Sequence, residues 1–545
     1  MSLRMPIASA LVVSALLAVL WALVGQKVAM PPSPLAPGEK LPCVSYAPFR
    51  DGQSPFDRPL AIPEVQIDQD FARLAPLTAC VRTYSIEAGL DKAPALARKH
   101  KLALLMGVWL SADPERNRQE LDESIRIANE NRDVIKGLVV GNEVLLRGEM
   151  SPMELSDTLK YVRAKVAPIP VTYADVWEFW ERNKGLAADV DFVTIHILPY
   201  WEDLPVSAAE AGPHVDRIRH EMADAFPGKE ILIGETGWPS AGRMREEALP
   251  SPASQALVLH DLMALAKRQN YRVNFIEAFD QPWKRRSEGT VGGHWGLLDA
   301  HARAPKFAWG APISDFPFWP VNILVGVLVV AAAHGAAIWG ARAGERGAPN
   351  GAPMGNLDWS AVGALALASG ATLGQAGVNL QLESLGVFGW LRNGAFFALA
   401  LASAVALPWL VGRGQGLVAL SHLLDPARRA RARGPALVAG LVLAATLTAV
   451  GVAALELVFN PRYKDFPDFV LTGPALGVLV LALLLRPART GLSATEEIAR
   501  YAFLGAAIYI PLNETLANWQ AAWFGGLCLA VSLTVWRVLA VQRTA

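Results

Sequence analysis

The stretch Ile231-Leu-Ile-Gly-Glu235-Thr-Gly-Trp-Pro-Ser240 joins a short apolar run to a carboxylate, a Gly-Trp pair and a proline. The apolar run has the length and the β-branched content of a buried strand. A second run, Ile135-Lys-Gly-Leu-Val-Val-Gly141, also ends on a glycine and is followed by Asn142 and Glu143. In barrels of parallel strands the active site lies at the carboxyl ends of the strands, so both glutamates are candidate catalytic residues.

Eight such runs alternate with helix-length segments between residues 39 and 311. The predicted strands are Cys43–Tyr46, Cys80–Tyr84, Leu102–Val108, Ile135–Gly141, Pro170–Tyr173, Phe192–His196, Ile231–Gly234 and Val273–Glu277. Eight β/α alternations in about 270 residues predict an α/β fold of the (β/α)8 TIM-barrel type. A doubly wound open sheet is the alternative, but it should carry a glycine-rich phosphate turn after its first strand, and the sequence has none there.

The segments on either side of this domain are apolar. The run from Pro6 to about Val24 carries no charge and suits one membrane span of roughly 20 residues, with a cleaved signal peptide as the alternative. Pro31–Gly38 is predicted as a stiff linker. Later runs predict helices near residues 319–341, 358–377, 386–411, 435–457, 467–485, 500–515 and 519–537. The helix near 500–515 is the weakest prediction, because Pro511, Asn513 and Glu514 shorten its apolar run.

We therefore expect three domains. Residues 1–38 form an N-terminal transmembrane anchor and linker, residues 39–311 form the barrel, and residues 312–545 form a polytopic transmembrane domain of about seven helices. The loop after the span near 386–411 contains Arg413, Arg428, Arg429, Arg431 and Arg433 against Asp425 alone, which predicts a cytoplasmic loop. Alternation from there also places Arg342, Arg346, Arg486, Arg500, Arg537, Arg543 and Arg4 inside, and the barrel outside. The expected location is a bacterial inner membrane, crossed several times, with the barrel facing the periplasm or the exterior.

Charge and cysteine content exclude some classes of protein. With 50 basic and 50 acidic residues the formal charge is zero, so nothing indicates nucleic acid as a partner. Cys43 and Cys80 fall on consecutive predicted strands and can form a disulfide in an oxidising compartment or remain thiols, whereas Cys528 lies in an apolar run. The nine histidines show no metal-ligand spacing, so we predict neither a metal nor a cofactor.

Three polar residues stand out in the apolar half, namely His334, Glu383 and Glu456. An ionisable group inside a membrane is a functional candidate by default. Interfacial snorkelling for Glu456 and a helix-packing contact for His334 are the alternative explanations.

Glu143 and Glu235 follow strands four and seven, which face each other across an eight-stranded barrel. Glycoside cleavage needs such a pair: one carboxylic acid protonates the leaving oxygen, and the other carboxylate attacks or stabilises the oxocarbenium-like centre. A single glutamate after a strand is also a common first-turn residue of a helix. Two of them, each near a glycine on opposed strands, favour the catalytic interpretation.

The segment from Lys229 to Gly242 resembles the nucleophile signature of glycoside hydrolase family 17, the β-1,3-glucanases and related glucanosyltransferases, in a bacterial membrane-anchored form. Gly141-Asn-Glu143 resembles the acid/base motif of that family, and Val81–Ser85 and Phe275–Lys284 resemble its second- and eighth-strand segments. The resemblance covers residues 39–311, about half of the chain. It implies that Glu235 is the nucleophile, that Glu143 is the general acid/base, and that their carboxyl groups lie roughly 5–5.5 Å apart.

Other strand-end residues are candidates for substrate binding. Asn142 is expected to hydrogen-bond the sugar 2-OH, Tyr200 to touch Glu235, and Glu277 and Lys284 to form an ion pair near the site. The remaining candidates are Tyr46, Tyr84, Tyr173, Asp175, His196, Trp238 and Trp283, with Trp295 as a further stacking residue. Structural roles at the barrel rim are the alternative for each. Glu149, Glu178 and Glu202 are expected to be solvated loop charges.

The expected function is retaining hydrolysis of β-1,3-glucan, of the endo-1,3-β-glucanase type, by double displacement through a glycosyl-enzyme on Glu235. A transglycosylase that builds or remodels exported glucan is the first alternative, because the same carboxylates serve both reactions. A non-catalytic glucan-binding export or channel component is an alternative of another class, but it predicts a lost carboxylate. A sugar-nucleotide glycosyltransferase is disfavoured, since no nucleotide-binding domain is evident. The expected partners are a β-glucan polysaccharide or oligosaccharide, the lipid bilayer, and a glucan synthase or export complex.

Overall fold

A computed structural model describes residues 4–57, 60–343, 353–429, 432–485 and 494–543. The chain forms two compact units: a barrel unit of Val28–Ile313, and a helical unit of Met1–Lys27 together with Ser314–Ala545. The first helix, α1 (Arg4–Val24), belongs to the helical unit. Arg346, Arg431 and Arg486, on which the predicted orientation partly depends, lie outside the described residues, as do the side chains of Arg428 and Arg543.

The barrel unit contains eight parallel strands in sequence order, and β1 closes the barrel by pairing with β8. The strands are β1 (Val44–Ser45), β2 (Cys80–Arg82), β3 (Ala103–Val108), β4 (Ile135–Asn142), β5 (Val171–Val176), β6 (Val193–His196), β7 (Ile231–Thr236) and β8 (Arg272–Phe275). Their buried, nearly continuous apolar runs are those of a parallel sheet covered on both faces. The predicted barrel is confirmed, and each of the eight predicted strands is present.

Helices cover the outside of this barrel. They are α2 (Glu64–Leu74), α3 (Ala93–Lys99), α4 (Pro114–Glu130), α5 (Pro152–Val166), α6 (Trp177–Arg182), α7 (Ala211–Ala225) and α8 (Pro252–Gln269). The short helix α9 (Arg285–Gly292) follows β8 and lies at the carboxyl end of the barrel. Local sequence fixes several starts. Ser151 and Glu154 form a capping box at α5, in which each side chain accepts a hydrogen bond from the backbone N–H of the other. Asp113 caps α4 just before a proline at its first position.

One glycine brings the ends of β2 and β3 together. A Cβ on Gly107 would lie 2.3 Å from the carbonyl oxygen of Thr83 and 2.6 Å from the Cα of Tyr84. No larger residue fits without moving backbone, because interiors are close-packed. The glycine therefore sets the position of Tyr84 at the carboxyl end of the barrel.

Cys43 and Cys80 form a disulfide at the start of β1 and β2, with their Cα atoms 4.4 Å apart. Both are buried and pack with Leu105, Phe192 and Leu232. The sequence left open whether these cysteines are thiols or form a disulfide, and in the structure they form the disulfide. Such a bond is typical of proteins that fold in an oxidising compartment.

The proline-rich segment Pro31–Gly38 belongs to the barrel unit. The carbonyl oxygens of Pro32 and Pro34 accept hydrogen bonds from His260 and Lys267 of α8, at 3.0 and 2.9 Å. The segment predicted to be a stiff linker is thus hydrogen-bonded to α8.

In its described residues the helical unit continues with nine further helices. They are α10 (Trp319–Ala343), α11 (Asn356–Glu383), α12 (Gly386–Arg413), α13 (Leu420–Leu424), α14 (Pro426–Arg429), α15 (Pro435–Phe459), α16 (Asp468–Leu484), α17 (Ala494–Asn513) and α18 (Trp519–Arg543). Among the described residues, six helices are long and apolar enough to cross a membrane: α1, α10, α11, α12, α15 and, over Trp519–Val538, α18. α16 is apolar but only 17 residues long, and α17, the weakest prediction, is not one of the six. These helices are compatible with a membrane-anchored protein.

α1 packs inside the helical unit. Its buried residues Val13, Leu17 and Trp21 share one face, and Leu17 lies against Gly326 of α10 and Gly370 of α11. Small residues at such crossings let helices approach closely. His334 of α10 is buried and contacts Ser9 of α1 through Nε2 and Oγ at 3.1 Å, which supports the helix-packing explanation for this histidine.

Candidate active site

Glu235 lies on β7 and points into the carboxyl end of the barrel, where its side chain is only 6% exposed. Arg82, the last residue of β2, is fully buried and donates from Nη1 to Glu235 Oε1 at 2.8 Å. The same guanidinium donates to the carbonyl oxygen of Gly234 at 3.1 Å and to the side-chain oxygen of Asn142. Arg82 thus connects the ends of β2, β4 and β7.

The charge state of Glu235 follows from competing effects. Burial alone would raise its pKa, because desolvation disfavours the charged form. The charges of His196, Arg82 and Lys284, together with the Tyr84 hydroxyl, outweigh burial and hold the pKa of Glu235 below its ordinary value. The carboxylate is therefore ionised at neutral pH, as a nucleophile must be.

Glu143 follows β4 in an unusual backbone conformation. Its φ is +54° and that of Gly141 is +83°, so two of three consecutive residues are in the left-handed region. The N–H of Glu143 donates to the carbonyl oxygen of Ala174 on β5 at 2.8 Å, which holds this turn in place. Strained backbone of this kind clusters at functional sites. The side chain of Glu143 is 24% exposed, four times the exposure of Glu235.

His196, at the end of β6, lies between the two glutamates. Its Nδ1 is 2.8 Å from Glu143 Oε1, and its Nε2 is 3.6 Å from Glu235 Oε1. A carboxylate oxygen of Glu143 and one of Glu235 lie within 4.8 Å of each other, and a His196 nitrogen lies within the same distance of both. The two glutamates and the histidine thus form one cluster.

By distance alone, these three residues could also hold a metal ion. The surroundings fit that role poorly. Arg82 already places a fixed positive charge on Glu235 Oε1, and a cation bound there would be repelled by it. A carboxylate pair balanced by an arginine is the better description of the cluster.

The predicted ion pair between Glu277 and Lys284 is present, with Nζ 2.9 Å from Oε2. Burial would lower the pKa of Lys284, but Glu277, Tyr84 and Glu288 raise it above its ordinary value, so the ammonium is charged. Burial raises the pKa of Glu277 to about 6, against the lowering effect of Lys284. Lys284 thus adds positive charge beside Glu235.

Glu288 of α9 is a further carboxyl group that interacts with Glu143 and Glu235. Burial, with Glu277, Glu143 and Glu235 adding to it, raises the pKa of Glu288 to about 7, while Lys284 acts in the opposite direction. By surface area the residue is partly buried. Sequence reasoning missed Glu288, since it lies within a charged helical segment and follows no strand.

Asp175 of β5 lies on the Glu143 side of the site. It accepts a hydrogen bond from the Tyr173 hydroxyl and one from the backbone N–H of Val176 at 2.8 Å. Burial raises the pKa of Asp175 to about 6, and the nearby Glu143 contributes to that rise. Tyr173 also accepts from the N–H of Leu145, so these two candidates support the turn that carries Glu143.

The structure separates the remaining tyrosine candidates. Tyr84 is the tyrosine beside Glu235. Tyr200, which was expected there, donates its hydroxyl hydrogen bond to the carbonyl oxygen of Arg243 at 2.9 Å. Tyr46 donates to Asp70 of α2 at 3.0 Å and is fully buried.

The tryptophan candidates differ in exposure. Trp238 is buried and donates to the carbonyl oxygen of Leu249, and Trp295 is buried near Trp201 and Tyr200. Trp283 is half-buried and meets Phe56 edge to face, with ring centres 5.6 Å apart. Of the three, Trp283 offers the surface that a sugar ring can reach.

Two sequence interpretations need revision. Glu202 is not a solvated loop charge: its side chain is 8% exposed, 3.4 Å from His214 and 3.3 Å from the Trp177 indole nitrogen. Arg82 is part of the site, although only its strand segment was singled out. A signal was available, because an arginine inside a buried strand needs a partner for its charge.

Residues 43–296 match the family described as the BtgE/BtgC glycoside hydrolase domain. A glucan 1,3-β-glucosidase of Arthroderma benhamiae is 26% identical over 260 residues, which are 45% of this chain and 84% of the relative. A glucan 1,3-β-glucosidase of Schizosaccharomyces pombe is 27% identical over 233 residues, 39% of this chain and 72% of the relative. Among solved structures, a family 17 β-1,3-glucanosyltransferase of Rhizomucor miehei is 28% identical, with a TM-score of 0.44 over 49% of this chain and 97% of that protein.

The family match and the relatives define the barrel as a glycoside hydrolase domain, so the predicted class of enzyme, a glycosidase or related transglycosylase, is confirmed. The barrel is similar to these β-1,3-glucan enzymes, the group whose motifs its strand ends resemble.

Proposed function

We propose that the barrel is a retaining β-1,3-glucan hydrolase with Glu235 as nucleophile and Glu143 as general acid/base. The observation that supports this most strongly is the approach of the two carboxylates to within 4.8 Å. Retaining glycosidases place these groups about 5–5.5 Å apart, whereas inverting enzymes leave room for a water at roughly 6.5–9.5 Å. The linkage is supported by the two glucan 1,3-β-glucosidases that the barrel resembles.

The unequal surroundings support the division of roles. Glu235 is buried, paired with Arg82 and ionised, which suits attack on the anomeric carbon. Glu143 is more exposed, so it can protonate the leaving oxygen and later deprotonate an incoming water. Asn142 is held by Arg82 at the end of β4, next to Glu143, where it can hydrogen-bond the sugar 2-OH. Trp283 and Phe56 offer a surface on which a further glucose can stack.

In the first step, the Glu235 oxygen bonds to the anomeric carbon while the glycosidic oxygen leaves with the proton of Glu143. In the second step, Glu143 takes a proton from water, whose oxygen displaces Glu235. If a sugar hydroxyl takes the place of that water, the product is a longer glucan. Transglycosylation is therefore the alternative, in exported glucan synthesis or remodelling.

An azide experiment tests the assignment of roles. The substrate is an activated aryl β-laminaribioside, whose leaving group needs no protonation. With Glu143→Ala, azide should intercept the glycosyl-enzyme and give the β-glycosyl azide. With Glu235→Ala, azide should replace the missing nucleophile and give the α-glycosyl azide. The opposite pairing of variants and anomers would show that the roles are exchanged.

Sizing the products from laminari-oligosaccharides of one length separates hydrolysis from transfer. Shorter products alone indicate hydrolysis, and products longer than the donor indicate transfer. A wild-type protein that binds the oligosaccharide but releases neither kind of product would contradict both and favour a glucan-binding export component.

We further propose that the six apolar helices anchor the protein in a bacterial inner membrane, with the barrel on the outer side. The Cys43–Cys80 bond supports an oxidising location for the barrel. A glucan synthase or export complex is the proposed protein partner. Protease added to intact spheroplasts should digest the barrel if it faces outward, and leave it intact if it faces the cytoplasm.

A further inference from the structure

A row of polar side chains occupies one end of the otherwise apolar helical unit. Gln375, Asn379 and Glu383 follow one another at four-residue spacing on α11 and therefore share a face. Asn322 of α10 donates to Gln375 Oε1 at 3.3 Å, and Gln375 donates to Asn379 Oδ1 at 2.9 Å. Asn379 in turn is hydrogen-bonded to Glu383. We call these four residues the polar ladder.

Charged groups from other helices meet the ladder at Glu383. This carboxyl group interacts electrostatically with Asp465, Arg392 and Asp468. Arg392 of α12 is already paired with Glu456 of α15, through its Nε at 3.1 Å. The arginine that interacts with Glu383 is thus also held by another carboxylate.

Two buried side-chain oxygens at this end have no hydrogen-bond partner among the described residues. They are Asp468 Oδ1 and Asn322 Oδ1, and both residues are only 1% exposed. Burying an unpaired polar atom is costly, and native structures satisfy nearly all of them. Two such atoms, on α16 and α10, indicate that this end accepts hydrogen bonds from a group outside the chain.

An apolar crevice of about 570 Å³ adjoins the ladder. Its lining includes Trp21 of α1, Phe316, Phe469 of α16 and Trp523 of α18. Two threonines of the lining connect it to the polar groups: Thr372 lies one turn before Gln375, and Thr472 lies one turn after Asp468. The helical unit therefore presents an apolar cavity and a hydrogen-bonding row side by side.

We propose that this end of the helical unit binds a neutral glycolipid, with its hydrocarbon chain in the crevice and its sugar headgroup on the polar ladder. Carboxamides both donate and accept, and carboxylates accept, which together match the hydroxyls of a sugar. A phosphate headgroup is disfavoured, because its negative charge would lie against the carboxyl groups of Glu383 and Asp468. The aromatic side chains of the crevice supply surfaces for stacking and lie at helix ends, where aromatic belts form in membrane proteins.

A hard cation is a weaker alternative occupant. Among the described residues, the group of carboxylates and histidines close enough to share an ion is that of Glu143, His196 and Glu235 in the barrel. The acidic residues in the described part of the helical unit are not so arranged.

Binding of a β-glucosyl diacylglycerol to the full chain tests the proposal, in a detergent whose headgroup is not a sugar. Native mass spectrometry or a radiolabelled lipid gives the affinity directly, so the result does not depend on whether the barrel turns over glucan. We expect saturable binding that unlabelled glucosyl lipid competes away, and that phosphatidylethanolamine, phosphatidylglycerol and diacylglycerol do not.

Two variants distinguish the binding of the sugar headgroup from the binding of the hydrocarbon chain. Asn379→Leu should weaken binding by about ten-fold or more, because it removes hydrogen bonds to the sugar. Ala371→Trp should abolish binding by filling the crevice. The matched control is Thr448→Leu, an exposed threonine of α15 whose hydroxyl bonds only to its own helix, and it should change nothing.

Unchanged unfolding temperatures would show that the variants fold. Equal binding of phosphatidylethanolamine or diacylglycerol would overturn the proposal, because the site would then not recognise the sugar headgroup. Loss with Ala371→Trp but not with Asn379→Leu would overturn it as well.

Discussion

The end of β7 and the end of β4 hold two glutamates in contrasting surroundings. Glu235 is buried, fixed by Arg82 and close to Lys284, while Glu143 stands on a left-handed turn with a quarter of its side chain exposed. His196 contacts both ends. A nucleophile benefits from a fixed positive environment, and a group that gives and takes a proton benefits from access. The difference between the two strand ends thus supports a division of labour.

Removing each carboxylate tests this contrast with the largest expected effect. Glu235→Ala should lower kcat on any β-1,3-glucoside by roughly 10⁴-fold or more, because no step can proceed without the nucleophile. Glu143→Ala should lose about 10²–10⁴-fold on natural glucan, but far less on an aryl glycoside with an acidic phenol. Initial rates of both variants on both substrates measure these losses. Equal losses for the two variants on the activated substrate would contradict the division of roles.

Arg82→Met tests what keeps Glu235 ionised. Without the charge of Arg82, burial disfavours the ionised form of Glu235 more strongly, so the pKa of Glu235 should rise. Since attack needs the carboxylate, the acidic limb of the pH–rate profile should move to higher pH, and kcat/KM at neutral pH should fall by about 10²-fold. Leaving a buried charge unpaired also costs about 3–5 kcal/mol of stability.

The matched control for this variant is Arg98→Met, which breaks an exposed ion pair with Asp133 on the barrel surface. Its pH profile and unfolding temperature should remain those of the wild type. An unmoved acidic limb in Arg82→Met, with folding intact, would remove Arg82 from the mechanism.

The sign of the effect on stability follows from the same pKa. The pKa of Glu235 is lowered in the folded protein, so its pairing stabilises the fold at pH values above the ordinary carboxyl pKa. That contribution is lost as the pH falls through the depressed value. In Arg82→Met the barrel should therefore gain less stability than the wild type when the pH rises from acidic to neutral.

Most of the barrel could be predicted from sequence, because buried parallel strands leave apolar runs of characteristic length and the site lies where those runs end. The Glu277–Lys284 pair and the two glutamates followed from that rule. The positions of the Tyr200 and Tyr46 hydroxyls did not follow from it. Both residues come at strand ends, but the rotamer and the neighbouring groups decide where a hydroxyl points. Glu288 could not be found at all, because its helix is brought to the site by the closed barrel and by no local pattern.

The two tyrosines provide a smaller and sharper test. Tyr84→Phe should lower kcat by about ten-fold, because a hydroxyl beside the charged Glu235 is removed. Tyr200→Phe should leave kcat unchanged and cost about 1 kcal/mol of stability, since its hydroxyl donates to the carbonyl oxygen of Arg243. Steady-state kinetics and thermal unfolding of both variants separate the outcomes. A loss of activity in Tyr200→Phe with normal activity in Tyr84→Phe would reverse the assignment.

Glu288→Gln should have the smallest effect and should depend on pH. The pKa of Glu288 is about 7, so the wild-type residue is neutral in weak acid and resembles glutamine there. Below about pH 6 the variant and the wild type should therefore have the same kcat/KM. Above pH 7 the wild type carries an additional negative charge near Glu143 and Glu235, which the variant lacks, so the two profiles should separate by roughly two- to five-fold. Profiles that separate equally at every pH would mean that the side chain acts through packing, because a titrating charge cannot act where it is absent.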